Sequence, residues 1–251
     1  MGKGDASTRV VILAGGRGTR LAPYTSVLPK PLMPIGDRAI LEIVIEQLAA
    51  SGFNDVVISV GHLAHLIRAV FDHGHIPMPK PHQSRISYVY EEEPLGTAGS
   101  LRLVTGLDNT FLVMNGDLLT TLDYADLLRE HKASGNLVTI ASKRRGIKVD
   151  YGVLHLDGAT SRISAVTRYE EKPEFVSTVS MGVYALEPRA LEFIPADRAF
   201  DFPELVDELL KAGEAVGAYV YDGLWFDIGR RDDYERAASA WESGAFEASR
   251  S

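Results

Sequence analysis

Residues Val10 to Pro31 read VVILAGGRGTRLAPYTSVLPKP and concentrate groups suited to holding phosphate. An apolar run, Val10–Leu13, passes through Ala14 into Gly15-Gly16-Arg17-Gly18, with Arg20 close behind and Lys30 set between Pro29 and Pro31. A strand that empties into a glycine-rich loop presents closely spaced backbone N–H groups, and fixed cations beside it complete a polyphosphate site. The type of site is narrowed by what is missing. No Lys-Ser/Thr pair follows the glycines, as a Walker loop requires. Gly16 and Gly18 start a GxGxxG pattern, but position 21 is Leu21, so the dinucleotide fingerprint fails.

Two acidic segments could complete this chemistry. Asn115-Gly116-Asp117 follows the apolar run Phe111–Met114, and in open α/β sheets ligands gather beyond the carboxyl ends of strands. Asp117 is therefore expected at the same sheet edge as the glycine loop, although Asn-Gly-Asp also reads as a plain turn. Trp225-Phe226-Asp227-Ile228-Gly229 sets a lone carboxylate in an apolar segment, where it needs a partner. Asp117 and Asp227 together suit a Mg²⁺ ion that also takes phosphate oxygens and water. The alternative for Asp227 is to cap the helix expected from Arg231, or to pair with Arg230 or Arg231.

Glu91-Glu92-Glu93-Pro94-Leu95-Gly96-Thr97-Ala98-Gly99 offers carboxylates and small residues beside the expected phosphate site. A carboxylate here can accept from two adjacent N–H donors, as the N1 and N2 edge of guanine supplies. Cytosine offers its N4 amino group beside an acceptor, and uracil or thymine one N–H between two carbonyls. The same glutamates could instead complement a helix dipole. Glu170-Glu171-Lys172-Pro173 reads as a charge cluster at a strand end, for which a solvated turn is the ordinary account. The seven histidines lack a matching carboxylate or Cys pattern and are read as surface residues, not zinc ligands.

These groups need a scaffold. Val10–Leu13, Val56–Val60, Ile86–Tyr90 and Phe111–Met114 read as short strands. Between them, Ile40–Leu48, Leu63–Phe71 and Thr97–Val104 show helical period. Asp123 begins another helix and Leu137–Ala141 is a strand. This alternation implies a largely parallel sheet coated on both faces. After Asp150 the pattern changes: Gly152–Leu156, Ile163–Thr167 and Val179–Leu186 are strands separated by turns, so this part should be antiparallel. Pro203–Lys211 and Arg231–Trp241 return to helix, and Pro77–Pro81 reads as a Pro-broken loop. Met1–Arg9 reads as a flexible tail.

The bulk properties exclude several classes. The 251 residues are 45% hydrophobic and carry 26 Lys+Arg against 34 Asp+Glu, a net charge of −8. That balance disfavours nucleic acid or an anionic membrane as partner, but not a small anionic substrate met by local cations. With 0 Cys, disulfide and thiolate chemistry are excluded. There is no bilayer-length apolar run and no signal-peptide pattern, so a cytoplasmic protein is expected.

Taken together, the chain resembles the sugar-1-phosphate nucleotidylyltransferases. The resemblance rests on LAGGRGTRL (Leu13–Leu21), PKPLMPIGD (Pro29–Asp37), EPLGTAG (Glu93–Gly99), NGD (Asn115–Asp117), EKP (Glu171–Pro173) and WFDIGR (Trp225–Arg230), which follow the family's order. EEEPLGTAG most resembles the guanylyltransferases of mannose 1-phosphate and heptose 1-phosphate, whereas thymidylyl and uridylyl relatives tend to carry Gln in that segment. The resemblance implies an α/β, Rossmann-like three-layer fold with a mixed, mainly parallel central sheet and a small antiparallel sugar-binding portion. It implies one domain over residues 10–245, with 10–150 mainly for nucleotide and 151–230 mainly for sugar phosphate. The implied reaction passes a nucleoside monophosphate from an NTP, GTP favoured, to a sugar 1-phosphate. By this resemblance Leu13, Ala14, Gly15, Gly16, Gly18, Glu91 and Gly96 line the nucleotide. Arg20 and Lys30 neutralise phosphate, Asp117 and Asp227 hold Mg²⁺, and Gly152, Glu171, Lys172 and Ser180 address the sugar phosphate. The run Val179-Ser180-Met181-Gly182 departs from the family's Asn before Gly and points to an unusual sugar. Homo-oligomerisation stays open.

Overall fold

The structure is a computed structural model and describes residues 8–72, 84–158, 163–229 and 231–248. The expected loop at Pro77–Pro81 lies outside them. The first half contains β1 (Arg9–Ala14), the short pair β2 (Pro34–Ile35) and β3 (Arg38–Ala39), α1 (Ile40–Ala50), β4 (Asp55–Val60), α2 (Ala64–Asp72) and β5 (Arg85–Tyr90). It continues through β6 (Phe111–Asn115), β7 (Leu118–Thr120) and α3 (Tyr124–Ser134). The second half holds β8 (Val138–Lys148), β9 (Val153–Asp157), β10 (Ala165–Glu170), β11 (Glu174–Leu186), α4 (Phe202–Lys211), β12 (Val216–Val220), β13 (Trp225–Asp227), α5 (Arg231–Glu242) and α6 (Ala245–Ala248).

Seven strands form the central sheet in the order β12-β8-β11-β6-β1-β4-β5. β6, β1, β4 and β5 run parallel, β11 lies antiparallel to both β6 and β8, and β12 is parallel to β8. Strand period 2 divides the apolar residues between two cores. Val10, Ile12 and Ala14 pack with the residues of α1 and α3, while Val11 faces the opposite core with Phe200, Leu205 and Leu209 around α4. Both faces are covered, which gives the three layers that a continuous apolar strand such as β1 demands.

Three differences from the sequence reading have physical causes. Thr97–Val104 is not an α-helix but a 3₁₀ segment, Gly99–Leu103. The N–H groups of Ala98 and Gly99 donate to the Phe200 carbonyl at 3.0 and 2.8 Å, so the first turn is tied to a distant chain segment instead of being built locally. β8 and β11 extend well past the expected runs because they pair with each other as a ribbon beyond the sheet, where exposed side chains leave no apolar pattern. At the start of the chain, Thr8 is buried and Arg9 opens β1, its guanidinium paired with Asp55 at 2.8 Å, so the folded body begins earlier than Val10.

The β9–β10 hairpin forms its own two-stranded sheet. Leu154, Leu156, Val166 and Tyr169 share its exposed face, while His155, Arg168 and Glu170 form ion pairs on the other.

One histidine departs from the surface reading. His131 is 1% exposed. Helical period on α3 turns it toward β8, where Nδ1 lies 2.8 Å from Thr139 Oγ1 and Nε2 lies 3.3 Å from Glu187 Oε1. Burial pushes its pKa below the ordinary value, and the Glu187 charge only partly opposes this. The unfolded chain therefore takes up this proton first, near its ordinary pKa of about 6.5. Stability is fully present above that pH and is lost as pH falls toward the folded value. His131→Gln is expected to flatten the pH dependence of the urea midpoint between about pH 7 and 5. An unchanged slope would show that His131 is not its source.

Candidate active site

β1 and β6 are parallel neighbours with Leu13 opposite Asn115, so their carboxyl ends open on the same edge. The Gly116 N–H donates to the Leu13 carbonyl at 2.8 Å, which brings Asp117 against the loop leaving β1. Here lies a cleft of about 340 Å³. Leu13, Ala14, Gly15, Gly16, Gly18, Arg20, Lys30, Glu91, Gly96 and Asp117 all line it. A Cβ at Gly15 would sit 2.5 Å from Glu91 Oε1, so a larger residue there would displace the Glu91 carboxylate. At Gly16 no atom of the described residues, its chain neighbours aside, lies within 4 Å of such a Cβ, so their packing does not explain that glycine.

Asp227 comes from the far end of the chain to the same place. β13 pairs antiparallel with β7, Asp227 opposite Leu118, and the Ile228 N–H donates to the Asp117 carbonyl at 3.1 Å. Lys30 lies between the two carboxylates: Nζ bonds Asp117 Oδ2 and stands 3.8 Å from Asp227 Oδ1. Lys30 is only 8% exposed, so its charge is strongly felt. Burial raises the Asp227 pKa, the neighbouring Asp117 charge raises it further, and Lys30 and Arg20 oppose both. Of the alternatives for Asp227, the partner Arg231 is instead paired with Glu235 at 2.8 Å, while Arg230 lies outside the described residues.

The cluster fits a hard divalent cation. Its donors are carboxylate oxygens, and Asp117 Oδ1 is buried with no hydrogen-bond partner among the described residues. The Lys30 ammonium already lies where positive charge is favoured. No group of three or more potential ligand side chains exists among the described residues. A cation here would therefore complete its shell with substrate oxygens and water, as Mg²⁺ does.

The opposite end of the cleft is held by side-chain bonds. Glu91 Oε1 accepts from Ser59 Oγ at 2.8 Å and Oε2 from the Leu95 N–H at 3.2 Å, which fixes the carboxylate against Gly15. Gly96 has φ +78°, and a Cβ there would meet the Phe200 carbonyl oxygen at 2.6 Å. Asn115, Thr97, Ser100 and Asp201 also line the cleft and were not singled out from the sequence. Asp201 gave only the local signal of a helix start, Asp before Phe202-Pro203; its approach to residue 97 depends on how α4 crosses the sheet.

Gly152, Glu171, Lys172 and Ser180 do not line this cleft. Gly152 abuts the Tyr169 ring, and the Tyr169 hydroxyl bonds Glu171, so these three cluster at the base of the β9–β10 hairpin. Lys172 takes a left-handed conformation, φ +46°, which is uncommon for a residue with a Cβ. Ser180 Oγ donates to the Tyr184 hydroxyl at 3.2 Å and accepts from the Gly182 N–H at 3.2 Å, which shapes the irregularity where β11 leaves the β8 ladder.

Comparison with known proteins agrees with this fold. Residues 9–244 match the nucleotidyl transferase family, and the chain belongs to it. The chain is 32% identical over 253 residues to a UTP–glucose-1-phosphate uridylyltransferase of Synechocystis, covering 91% of this chain and 62% of the relative. It is 32% identical over 234 residues to a mannose-1-phosphate guanyltransferase of Candida albicans, covering 89% of this chain and 62% of the relative. The chain thus spans about three fifths of these relatives' length. The crystal structure of HddC from Yersinia pseudotuberculosis complexed with GMP-PN superimposes with a TM-score of 0.67 at 28% identity, covering 93% of this chain and 99% of that one.

Gly96→Ala is expected to cost roughly 1–3 kcal/mol, because it combines left-handed backbone with a backbone clash. Urea unfolding of the variant would measure this, and a cost within experimental error would mean the 96–99 loop can move away from Phe200.

Proposed function

We propose that the chain is a sugar-1-phosphate nucleotidylyltransferase that favours GTP. One observation carries the reading: Lys30 lies between Asp117 and Asp227 at the mouth of a glycine-lined cleft. In the proposed reaction an oxygen of the sugar 1-phosphate attacks the α-phosphorus of the NTP. The bond from that phosphorus to the bridging β-phosphate oxygen breaks, and pyrophosphate leaves with its electron pair. A phosphate oxygen is already ionised at neutral pH, so the protein need supply no general base.

Its task is positioning and charge neutralisation. Backbone N–H groups of Gly15, Gly16 and Gly18 would cradle the phosphates, and the open space at Gly16 lets a ligand approach the main chain. Arg20, which closes on Gly229 and Asp227, would meet the charge growing on the leaving group. Lys30 would neutralise the reacting phosphates. Asp117 and Asp227 would hold Mg²⁺, which when bound polarises phosphate oxygens and orders them for in-line displacement. The sugar phosphate is assigned to Gly152, Glu171, Lys172 and Ser180, with residues 10–150 serving mainly the nucleotide and 151–230 mainly the sugar. Lys172 supports this assignment, since strained backbone at a charged residue is found at functional sites.

Guanine is favoured because Glu91 brings a fixed carboxylate to the cleft, and its N1 and N2 donors suit such an acceptor. Uridylyl transfer is the second reading. The uridylyltransferase relative and the guanyltransferase relative are equally similar, 32% each, and both Glu91 oxygens already have internal donors. A thymidylyltransferase or a non-catalytic nucleotide-sugar binder would be further outcomes.

Incubation with each NTP, Mg²⁺ and a panel of sugar 1-phosphates should release pyrophosphate. Folded protein that is silent across a broad panel would defeat the proposal. Asp117→Asn and Asp227→Asn are each expected to lower turnover by roughly 10²–10³, the typical loss for a removed transition-state charge contact. Glu91→Gln is expected to weaken GTP use and relax base choice. An unchanged NTP preference would take Glu91 out of base reading.

A further inference from the structure

We propose that Asp201 is a positioning residue for the nucleotide-base end of the cleft: by fixing Thr97 it sets which base is accepted. This deepens the nucleotidylyltransferase reading and rests on it. The Thr97 N–H donates to Asp201 Oδ1 at 2.8 Å, and the Thr97 hydroxyl donates to the same oxygen at 3.0 Å. That hydroxyl in turn accepts from the Phe202 N–H at 2.9 Å. Thr97 is thereby held at both its backbone and its side chain by the first turn of α4. Asp201 and Thr97 both line the cleft.

The rest of the loop is tied to the same turn through main-chain bonds. The Phe200 carbonyl accepts from Ala98 and Gly99 at 3.0 and 2.8 Å, and the Phe200 N–H donates to the Leu95 carbonyl at 2.8 Å. α4 is in turn anchored to the sheet, since the Phe202 ring stacks on Tyr184 of β11 with centroids 4.0 Å apart. The path from sheet to cleft wall therefore runs from Tyr184 through Phe202 to Asp201 and Thr97. Loss of the Asp201 carboxylate leaves the Phe200 bonds intact. The loop stays attached, while Thr97 loses its acceptor and the base end of the cleft loses its shape.

Asp201 also has an ordinary helix-capping role, and the two must be separated. Its own N–H donates to Glu204 Oε2 at 3.0 Å, completing a capping box. Glu204 otherwise pairs with Arg198 and does not line the cleft. Glu204→Ala thus weakens the cap without touching Thr97. Asp201→Asn removes the charge and keeps an acceptor oxygen. Asp201→Ala removes both.

The experiment measures KM for each NTP and for the sugar 1-phosphate, with kcat, in the wild type and these three variants. Folding is checked by circular dichroism. Asp201→Ala is expected to raise KM for the preferred NTP about tenfold, the cost of losing the acceptor for the two Thr97 donors. Its preference among NTPs should relax, and kcat and the KM for sugar 1-phosphate should stay within about twofold. Asp201→Asn should restore the wild-type values, and Glu204→Ala should leave them unmoved. Equal shifts in Asp201→Ala and Glu204→Ala would reduce Asp201 to a helix cap. An unchanged NTP preference in Asp201→Ala, or an Asp201→Asn as impaired as the Ala variant, would also overturn the proposal. Failure of the underlying reading looks different: the wild type would neither turn over any NTP nor be thermally stabilised by one.

Discussion

Two carboxylates about 110 residues apart in the chain meet at one partly buried edge, and an ammonium group between them makes that arrangement tolerable. Asp117 and Asp227 repel each other, and burial compounds the cost, as the raised Asp227 pKa records. Lys30 offsets both effects from a nearly dry position. The three segments involved are otherwise unrelated: a 3₁₀ turn after the glycine loop, the β6–β7 corner, and the end of β13. The β6–β7 corner and the end of β13 are held by backbone bonds, from the Gly116 N–H to the Leu13 carbonyl and from the Ile228 N–H to the Asp117 carbonyl. The site is an electrostatic knot tied on a rigid frame.

That construction leaves a site strained toward positive charge. Asp117 Oδ1 has no partner among the described residues, and Arg20 stands beside Asp227. A preorganised cluster of this kind pays its reorganisation cost during folding, not during reaction. The other end of the cleft is ordered differently, by hydrogen bonds from loop to helix. Glu91 is gripped by Ser59 and Leu95, and the 95–99 loop by the turn at 200–202. The charged end suits phosphate chemistry and the hydrogen-bonded end suits recognition of a flat polar ring.

Much of the frame is legible in residue order because it follows from local periodicity. The apolar runs at Val10, Val56, Ile86 and Phe111 all become parallel strands, and Ile40–Leu48 is the α1 helix closed near Gly52. The misread elements are those that depend on distant partners. Thr97–Val104 has helical period but surrenders its first N–H groups to Phe200. The outer halves of β8 and β11 have no apolar pattern because they pair with each other in solvent. His131 is polar by type, yet its place on α3 drives it into the interior. The glycine loop, Lys30 and Asp117 announce themselves by residue type and neighbours. Asp201 does not, because a helix-capping Asp looks the same wherever its helix is docked.

By itself, the sequence determined the family, the layered α/β frame and the residue types that could manage phosphate, since these are written in contiguous motifs and short-range periods. Only the tertiary structure decided that Lys30 stands between Asp117 and Asp227, that Asp201 grips Thr97, and that the hairpin residues Gly152, Glu171 and Lys172 stay off the cleft wall. The physical reason is that these contacts join segments between about ninety and two hundred residues apart. Their distances are set by which strands neighbour one another in the sheet, and no local pattern of side chains encodes that order.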